Sequence, residues 1–385
     1  MSLHLAGPPH PLPAPAPQRA APCRVLMTLD AVGGVWRYAM NLGAELARRG
    51  ANIIFACCGP APSAAQRREA AAIGTLVLAD APLDWMEEDE HAIADVPSRL
   101  AALAEEYSVD LVHLNLPSQA AALAVDVPIV VVSHSCIVTW FHAVRGTPLP
   151  PGWQWQRDRN AAGLAAADAI IAPSRAHADL LAHCYGPVAA ARVVHNAARA
   201  PLPRGGHKAA FVLAAGRWWD EGKNGATLDR AAAWCTWPVL MAGSLRGPDG
   251  NALVISHAEA LGELPHGTLQ RLMQQAGIVV SPSLYEPFGL AALEGAAAGA
   301  ALVLADIPTY RELWDGAAVF VPPRAPAAYA AAINRLAAAP RLRATLGRCA
   351  AERARHLTPA AQADAMQAVY RDAMRRHAGA QRLAS

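Results

Sequence analysis

Glu286 and Glu294 are the two residues whose types and spacing first suggest chemistry. The stretch 278–280 is a short β-branched run, and it is followed by a turn that contains Glu286 and by a helical pattern that contains Glu294. Carboxylates only accept hydrogen bonds, so a pair that faces one cleft suits hydroxyl-rich groups such as sugars or ribose. The plainer alternative is that Glu286 is an ordinary turn residue and Glu294 a solvated helix position.

The residues between these glutamates predict an anion site. Pro287 lacks an N–H group that the first turn of a helix would leave unpaired, so Phe288, Gly289 and Leu290 are predicted to open the helix. Their N–H groups would point into the crevice beyond the preceding strand, where the helix dipole favours phosphate. A phosphate beside two carboxylates fits a nucleotide sugar.

Two cations stand in a second loop of the same kind. Arg217 and Lys223 flank a glycine-bearing segment directly after the apolar run 209–215. At the carboxyl end of a strand they could converge on a diphosphate, Arg217 as a fork and Lys223 as a point charge. Two solvated surface charges are the alternative.

The first half of the chain offers smaller candidates. Gly33 and Gly34 lie between the apolar run 24–29 and an amphipathic pattern, which is phosphate-loop geometry or an ordinary turn. His134 follows the run 129–133, so it is predicted to lie in a binding crevice or to be a hydrogen-bonded loop residue.

The elements that must position these residues alternate between strand and helix along the whole chain. Further strands are predicted at 52–56, 76–78, 111–115, 168–172, 193–196, 237–242, 252–256, 301–304 and 317–321. This alternation predicts an α/β fold of two Rossmann-like doubly wound domains that face a cleft. The stretch 118–124 is predicted to be helical. The Trp/Pro-rich stretch 134–155 is predicted to be a long loop, either a lid over an acceptor or a packing segment.

Composition sets the domain boundaries and excludes some functions. Residues 1–22, which are rich in proline, are predicted to be a disordered leader. They are followed by one domain at 23–200 and a second domain at 201–358, with a linker at 200–207 where the two meet. Residues 359–385 are predicted to be a terminal helix that packs back on the first domain.

A net charge of +2 without a basic run argues against nucleic acid as a partner. No apolar stretch is long enough to span a bilayer, although peripheral membrane contact is possible. Seven scattered cysteines without a Cys-x-x-Cys pair indicate a reduced, cytoplasmic protein without a zinc site.

Taken together, these loops resemble the family 4 retaining glycosyltransferases of the GT-B fold. The most specific match is the run 282–294, which has the family's Glu-x7-Glu spacing. The other matches, in the family's order, are Gly33-Gly34, His134, the runs 167–174 and 194–196, Gly216-Arg217 with Lys223-Asn224, and the run 310–313. The chain departs from the family at Ala197, where glycine is common, and in the run 295–301, changes that could retune donor choice.

The resemblance implies a role for each candidate residue. Glu286 would bind hydroxyls of the donor sugar and Glu294 the nucleotide ribose, while Arg217 and Lys223 would hold the diphosphate with the N–H groups of Phe288, Gly289 and Leu290. His134 would lie beside the donor sugar, and Gly33 and Gly34 would face donor and acceptor. The first domain would then bind the acceptor and the second the nucleotide sugar. No metal or other cofactor is expected.

The sequence therefore predicts a transferase that moves a hexose-type sugar from a nucleotide diphosphate to an acceptor with retention at the anomeric carbon. A nucleotide-sugar epimerase of similar fold and a non-catalytic sugar-nucleotide-binding protein are the alternatives. The sugar, base, acceptor and oligomeric state are not determined by the sequence.

Overall fold

The computed structural model describes residues 23–186, 191–199, 208–248 and 250–384, so the predicted leader and the predicted linker lie outside the described residues. Thirteen strands are found within these ranges. They are β1 (Arg24–Asp30), β2 (Asn52–Cys58), β3 (Thr75–Leu78), β4 (Leu111–Leu114), β5 (Ile129–Val132), β6 (Ala169–Ala172), β7 (Arg192–Val193), β8 (Ala209–Ala215), β9 (Val239–Ala242), β10 (Glu259–Gly262), β11 (Ala276–Ser281), β12 (Ala301–Ala305) and β13 (Ala318–Val321).

The same ranges contain thirteen α-helices, most of which connect successive strands. They are α1 (Gly34–Arg48), α2 (Ala64–Ala71), α3 (Val96–Glu106), α4 (Ile137–Arg145), α5 (Gln154–Ala166), α6 (Arg175–Tyr185), α7 (Gly225–Ala232), α8 (His266–Gln275), α9 (Leu290–Ala297), α10 (Pro308–Trp314), α11 (Pro326–Ala338), α12 (Pro340–Ala354) and α13 (Pro359–Ala384).

The strands form two separate parallel sheets. The first has the order β3-β2-β1-β4-β5-β6-β7 and the second the order β10-β9-β8-β11-β12-β13. In each sheet the strand order reverses beside the first strand of the series, and apolar clusters cover both faces. This reversal places ligand crevices at the carboxyl ends of β1 and β8. The predicted fold of two Rossmann-like doubly wound units is confirmed.

The turn after β11 differs from the prediction. All six residues of β11 are buried between β8 and β12, as a central parallel strand requires. The following helix α9 begins at Leu290, so Phe288 and Gly289 precede it. Gly289 has a left-handed backbone, with φ of 90°, and a Cβ atom there would lie 2.7 Å from the ring of Tyr310. Glycine is therefore required at this position.

The predicted strand at 252–256 is wrong. Ala252 makes only an isolated bridge to Arg246, and the edge strand of the second sheet is β10. The carboxylate of Asp229 accepts hydrogen bonds from the backbone N–H groups of Ser256, His257 and Ala258, at 2.8–3.1 Å. These N–H groups are therefore not available to a strand ladder.

Two other predicted segments are corrected. In place of the helix at 118–124 there is a single 3-10 turn, Pro117–Ala120, and it is followed by Ala122 with a positive φ of 60°. The predicted loop 134–155 contains the helix α4. Cys136 caps that helix through its sulfur, which accepts from the backbone N–H of Thr139, while the Thr139 hydroxyl accepts from the N–H of Cys136. Cysteine is not a usual cap residue, so this signal is hidden in the sequence.

Helix α13 packs on the first sheet although it follows the second in the chain. Met366, Val369 and Tyr370 are buried in the cluster that also contains residues of β1, β2 and α1. At the surface, Arg49 at the end of α1 forms an ion pair with Asp364. The first unit is thus built from both ends of the described chain.

Candidate active site

Lys223 and Glu286 form an ion pair at the carboxyl end of the second sheet. Their Nζ and Oε2 atoms are 2.6 Å apart, and less than a fifth of either side chain is exposed. The loops that carry them are also joined through the backbone, because the N–H of Leu284 donates to the carbonyl of Gly222 at 2.8 Å. Sequence reasoning placed both residues in one crevice, and the structure brings them into direct contact.

Arg217 reaches from the second unit to the glycine loop of the first. Its Nη1 atom lies 3.0 Å from the position that a Cβ atom on Gly33 would occupy, so a side chain there would displace the guanidinium. Asp220 lies 3.6 Å from the same guanidinium. On the other side Asp30 accepts hydrogen bonds from the N–H groups of Val32 and Gly33. Burial raises the pKa of Asp30 and the charge of Arg217 opposes that rise.

The start of α9 faces the same loop. A methyl carbon of Leu290 lies 3.6 Å from the Cβ position of Gly34. No described residue accepts a hydrogen bond from the backbone N–H groups of Phe288, Gly289 or Leu290. The space between the Gly33-Gly34 loop, Arg217, the Lys223–Glu286 pair and the start of α9 is called the groove below. The three free N–H groups and Arg217 make one end of it electropositive, which suits an anion.

Glu294 lies on α9, about one turn after Leu290, and has no hydrogen-bond or ion-pair partner among the described residues. Burial raises the pKa of Glu294 to about 7, and the positive charge of Arg37 on α1 opposes that rise. Arg37 is itself paired with Glu69, 2.6 Å away. Glu294 thus has a raised pKa and acceptor atoms to offer a ligand.

His134 follows β5 in the first unit, and its side chain is held by contacts with two other residues of that unit. Its Nε2 atom lies 2.8 Å from Oδ1 of Asn115, and its ring packs edge-on against Tyr38 with 4.4 Å between ring centroids. Burial is the main reason that the pKa of His134 falls to about 3, so the imidazole is neutral at pH 7. The structure shows no direct contact from His134 to Glu286 or Lys223.

The structure thus brings together Gly33 with Arg217, Gly34 with Leu290, and Lys223 with Glu286. It shows no direct contact from His134 or Glu294 to these residues, and the ligand roles assigned to all of them stay predictions. Sequence reasoning missed Asp30, Arg37, Asp220 and Asn115, which support them. Asp30 directly follows a predicted strand and Asn115 is the last residue of another, so their positions indicated that they could lie at the site. Arg37 and Asp220 gave none, because they act across the groove or through a turn.

Helix α4 occupies the position predicted for an acceptor lid. Its Trp140 donates a hydrogen bond from Nε1 to Oδ1 of Asp220 at 3.0 Å, and its Arg145 pairs with Glu221 at 2.9 Å. Trp153 packs against Phe141. These aromatic side chains pack against protein, as the second alternative for this segment predicted.

Glu312 on α10 joins the two units behind the groove. Its carboxylate accepts hydrogen bonds from the backbone N–H groups of Arg175 and Ala176, at 2.8 and 2.7 Å, and lies 3.6 Å from Nε2 of His195. Ser174, the N-cap of α6, donates to the carbonyl of Pro287 at 2.7 Å. A glutamate of the second unit thus caps a helix of the first, beside the turn that carries Glu286.

Replacing Glu312 with alanine is expected to lower the free energy of unfolding by about 2 kcal/mol, because two charge-assisted hydrogen bonds at a helix N-terminus are lost. Urea unfolding followed by circular dichroism measures the change. Asp315→Ala is the matched control, since that carboxylate follows the same helix but is 73% exposed. Equal stability of the two variants would show that Glu312 does not hold the units together.

Two features are absent from the described part of the chain. Within it, no group of three or more His, Cys, Asp or Glu side chains is arranged to hold a metal ion. No helix described here is both long and apolar enough to cross a membrane.

Family models match both halves of the chain. Residues 32–199 match the model described as Glycosyltransferase Family 4, and residues 245–353 match Glycosyl transferases group 1. The chain is also 27% identical over 319 residues to a glycogen synthase of Mycobacterium tuberculosis, covering 72% of this chain and 75% of that protein.

Solved structures share the fold at low sequence identity. Sucrose-phosphate synthase from Thermosynechococcus elongatus has a TM-score of 0.74 and 19% identity, over 91% of this chain and 98% of its own. Anabaena HepE, solved with UDP and glucose, has a TM-score of 0.69 and 16% identity, over 90% and 99%. These likenesses extend over nearly the whole chain and show a shared fold. Together with the two family models they lead to one conclusion: the chain belongs to the family 4 glycosyltransferases of the GT-B fold.

Proposed function

We propose that this glycosyltransferase transfers a hexose-type sugar from a nucleotide diphosphate sugar to an acceptor, with retention at the anomeric carbon. The observation that carries the proposal is the meeting of Arg217, the Lys223–Glu286 pair and the unpaired N–H groups of Phe288–Leu290 in one interdomain groove. Anabaena HepE was also solved with UDP-glucose, which supports a donor of this class.

The diphosphate would lie between the two cations and the start of α9. As the bond from the anomeric carbon to the diphosphate breaks, negative charge grows on the leaving oxygen. Fixed cations and N–H groups stabilise this charge without rearranging, which is the largest source of catalysis in many enzymes. We propose that they suffice without a metal ion or another cofactor.

Glu286 and Glu294 would bind the two hydroxyl-rich parts of the donor. Glu286 adjoins the cation that would hold the diphosphate, so it is placed for the sugar hydroxyls. Glu294 lies farther along α9 and would accept from the ribose hydroxyls. In retaining transfer of this type the acceptor attacks from the face that the diphosphate leaves, so no protein nucleophile is needed and the main contribution is positioning.

A panel of nucleotide sugars tests the proposal. Thermal-shift measurements are expected to show stabilisation by one nucleotide class, because a ligand that binds only the folded state raises its stability. Incubation of that donor with a panel of acceptors, with and without EDTA, is expected to give a product whose anomeric configuration equals that of the donor. An altered sugar released from the donor alone would indicate an epimerase, and binding without turnover would indicate a non-catalytic binding protein.

A further inference from the structure

The turn that carries Glu286 belongs to the second unit, but it is bound to the first unit on both sides of that glutamate. The hydroxyl of Tyr285, directly before Glu286, lies 2.8 Å from Oγ1 of Thr139 on α4. The carbonyl of Pro287, directly after Glu286, accepts a hydrogen bond from Oγ of Ser174 at 2.7 Å. Tyr285, Thr139 and Ser174 are buried, so water competes little for either bond.

The other partners of Thr139 decide the direction of the first bond. The Thr139 hydroxyl donates its only hydrogen to the carbonyl of Cys136 at 2.9 Å and accepts from the N–H of the same residue at 3.1 Å. Tyr285 is therefore the donor to Thr139. Replacing Tyr285 with phenylalanine removes this bond and leaves both bonds between Thr139 and Cys136, so the cap of α4 is kept.

The second bond fixes the direction of a backbone N–H group. The peptide bond between Pro287 and Phe288 is trans, so its carbonyl and its N–H point in opposite directions. Ser174, at the start of α6, holds the carbonyl toward the first unit. The N–H of Phe288 therefore points away from α6, and no described residue accepts from it.

Packing does not hold the turn on every side. A cavity of about 780 Å³ lies against residues 284–287, and its other walls come from α4, α6, the start of α10 and residues 322–325. An unfilled space offers no van der Waals contacts that could keep the turn in place. The two hydrogen bonds from the first unit are therefore needed to stop the turn from shifting into this cavity.

We propose that the first unit positions the donor-binding groups of this turn. Tyr285, bonded to α4, positions the carboxylate of Glu286. Ser174, bonded to the preceding carbonyl, aims the N–H of Phe288. The inference rests on the proposed function, which assigns the carboxylate to the donor sugar and the N–H to the diphosphate. Tyr285 and Ser174 are positioning residues in this account and do not touch the donor themselves.

Hydrogen exchange of residues 283–290 tests the first bond without any ligand. In Tyr285→Phe the N–H groups of this segment are expected to exchange at least about fivefold faster than in wild type, because one buried hydrogen bond shifts a local opening equilibrium by about that factor. Tyr329→Phe is the matched control, since that hydroxyl is buried in the second unit without a partner among the described residues. Equal exchange rates in the two variants would overturn the proposal.

A comparison of two ligands tests what Tyr285 positions. The ligands are the nucleotide sugar found in the panel above and the nucleoside diphosphate that lacks its sugar. Tyr285→Phe is expected to raise the Kd for the nucleotide sugar by about fivefold to tenfold and to change the Kd for the nucleoside diphosphate by less than about twofold. A purely structural role would weaken both ligands equally. That result, or wild-type affinity for both, would overturn the role of Tyr285.

Ser174→Ala tests the second bond. It is expected to raise the Kd for the nucleoside diphosphate by about fivefold, because the N–H of Phe288 is no longer held in one direction. Ser174 also caps α6, so the control is Ser63→Ala, which removes the exposed N-cap of α2. Equal affinities in these two variants would overturn the role of Ser174. If wild type binds no nucleotide sugar, the proposed function is contradicted instead, and the exchange rates alone decide whether the first unit holds the turn.

Discussion

Lys223→Ala is expected to lower kcat by about 10²- to 10³-fold, because the leaving diphosphate loses a cation that is fixed in place before the reaction. The fixing is visible in the structure, where the ammonium group is held 2.6 Å from Glu286. The affinity for nucleotide is expected to change less, since the wild-type cation already has a partner before the donor binds. Steady-state kinetics with a direct nucleotide-binding assay separates the two effects.

The control for this prediction is Arg48→Ala, which removes an exposed cation that pairs with Glu45 on α1. Its kcat is expected to equal that of wild type. Arg217→Ala is expected to resemble Lys223→Ala, since Arg217 follows the same strand as Lys223 and its guanidinium lies beside the glycine loop. Wild-type turnover in both Arg217→Ala and Lys223→Ala would remove the diphosphate site from this groove.

Glu294→Ala is expected to raise the Kd for a nucleotide sugar by about 10- to 100-fold, through the loss of hydrogen bonds from two ribose hydroxyls to a charged acceptor. Isothermal titration measures the change, and Glu352→Ala on α12, an exposed carboxylate in a local ion pair, is the control. A 2′,3′-dideoxyribose donor is expected to bind wild type and Glu294→Ala equally. A full loss of affinity for that analogue in the variant would mean that Glu294 acts on another part of the donor.

The raised pKa of Glu294 gives this site a pH dependence whose sign can be worked out. Only the ionised carboxylate accepts from both hydroxyls, so the affinity for a nucleotide sugar is expected to rise as pH increases through about 7. In the unliganded protein the pKa lies above the ordinary glutamate value of 4.5, so the charged form is disfavoured by folding. The contribution of Glu294 to the free energy of unfolding is therefore greatest below pH 4.5 and is lost as the pH rises through about 7. Both dependences are expected to disappear in Glu294→Gln.

The alternation of strands and helices in the sequence predicted the fold because both sheets are parallel and their inner strands are covered on both faces. Strands such as β11 are buried on both faces, so their apolar runs are continuous and easily recognised. The secondary-structure prediction failed where a side chain formed the hydrogen bonds that decide whether a segment is a strand, a loop or a helix. The carboxylate of Asp229 accepts from the N–H of Ser256, the last residue of the predicted strand at 252–256, and from the two N–H groups that follow it. The Cys136 cap starts α4 inside a predicted loop. Such local competition leaves no periodic signal.

The candidate site was predictable to the extent that its residues follow strands. Glu286, Arg217 and His134 each stand just beyond a strand that the hydrophobic pattern revealed. What the pattern could not reveal is how the two units meet. The approach of Arg217 to Gly33, the bond from Trp140 to Asp220 and the cap from Glu312 to α6 all cross between units far apart in the chain.

The return of α13 to the first sheet has a consequence for synthesis on the ribosome. Residues 359–384 emerge after the whole second unit, yet Met366 and Tyr370 complete the apolar interior of the first. Until α13 has been synthesised, part of the apolar interior of the first unit stays uncovered and His113 lacks Tyr370 as a partner. The second unit can complete its own interior before then. We expect the usual vectorial order of folding to be reversed here, because α13 is synthesised after the second unit and yet completes the first.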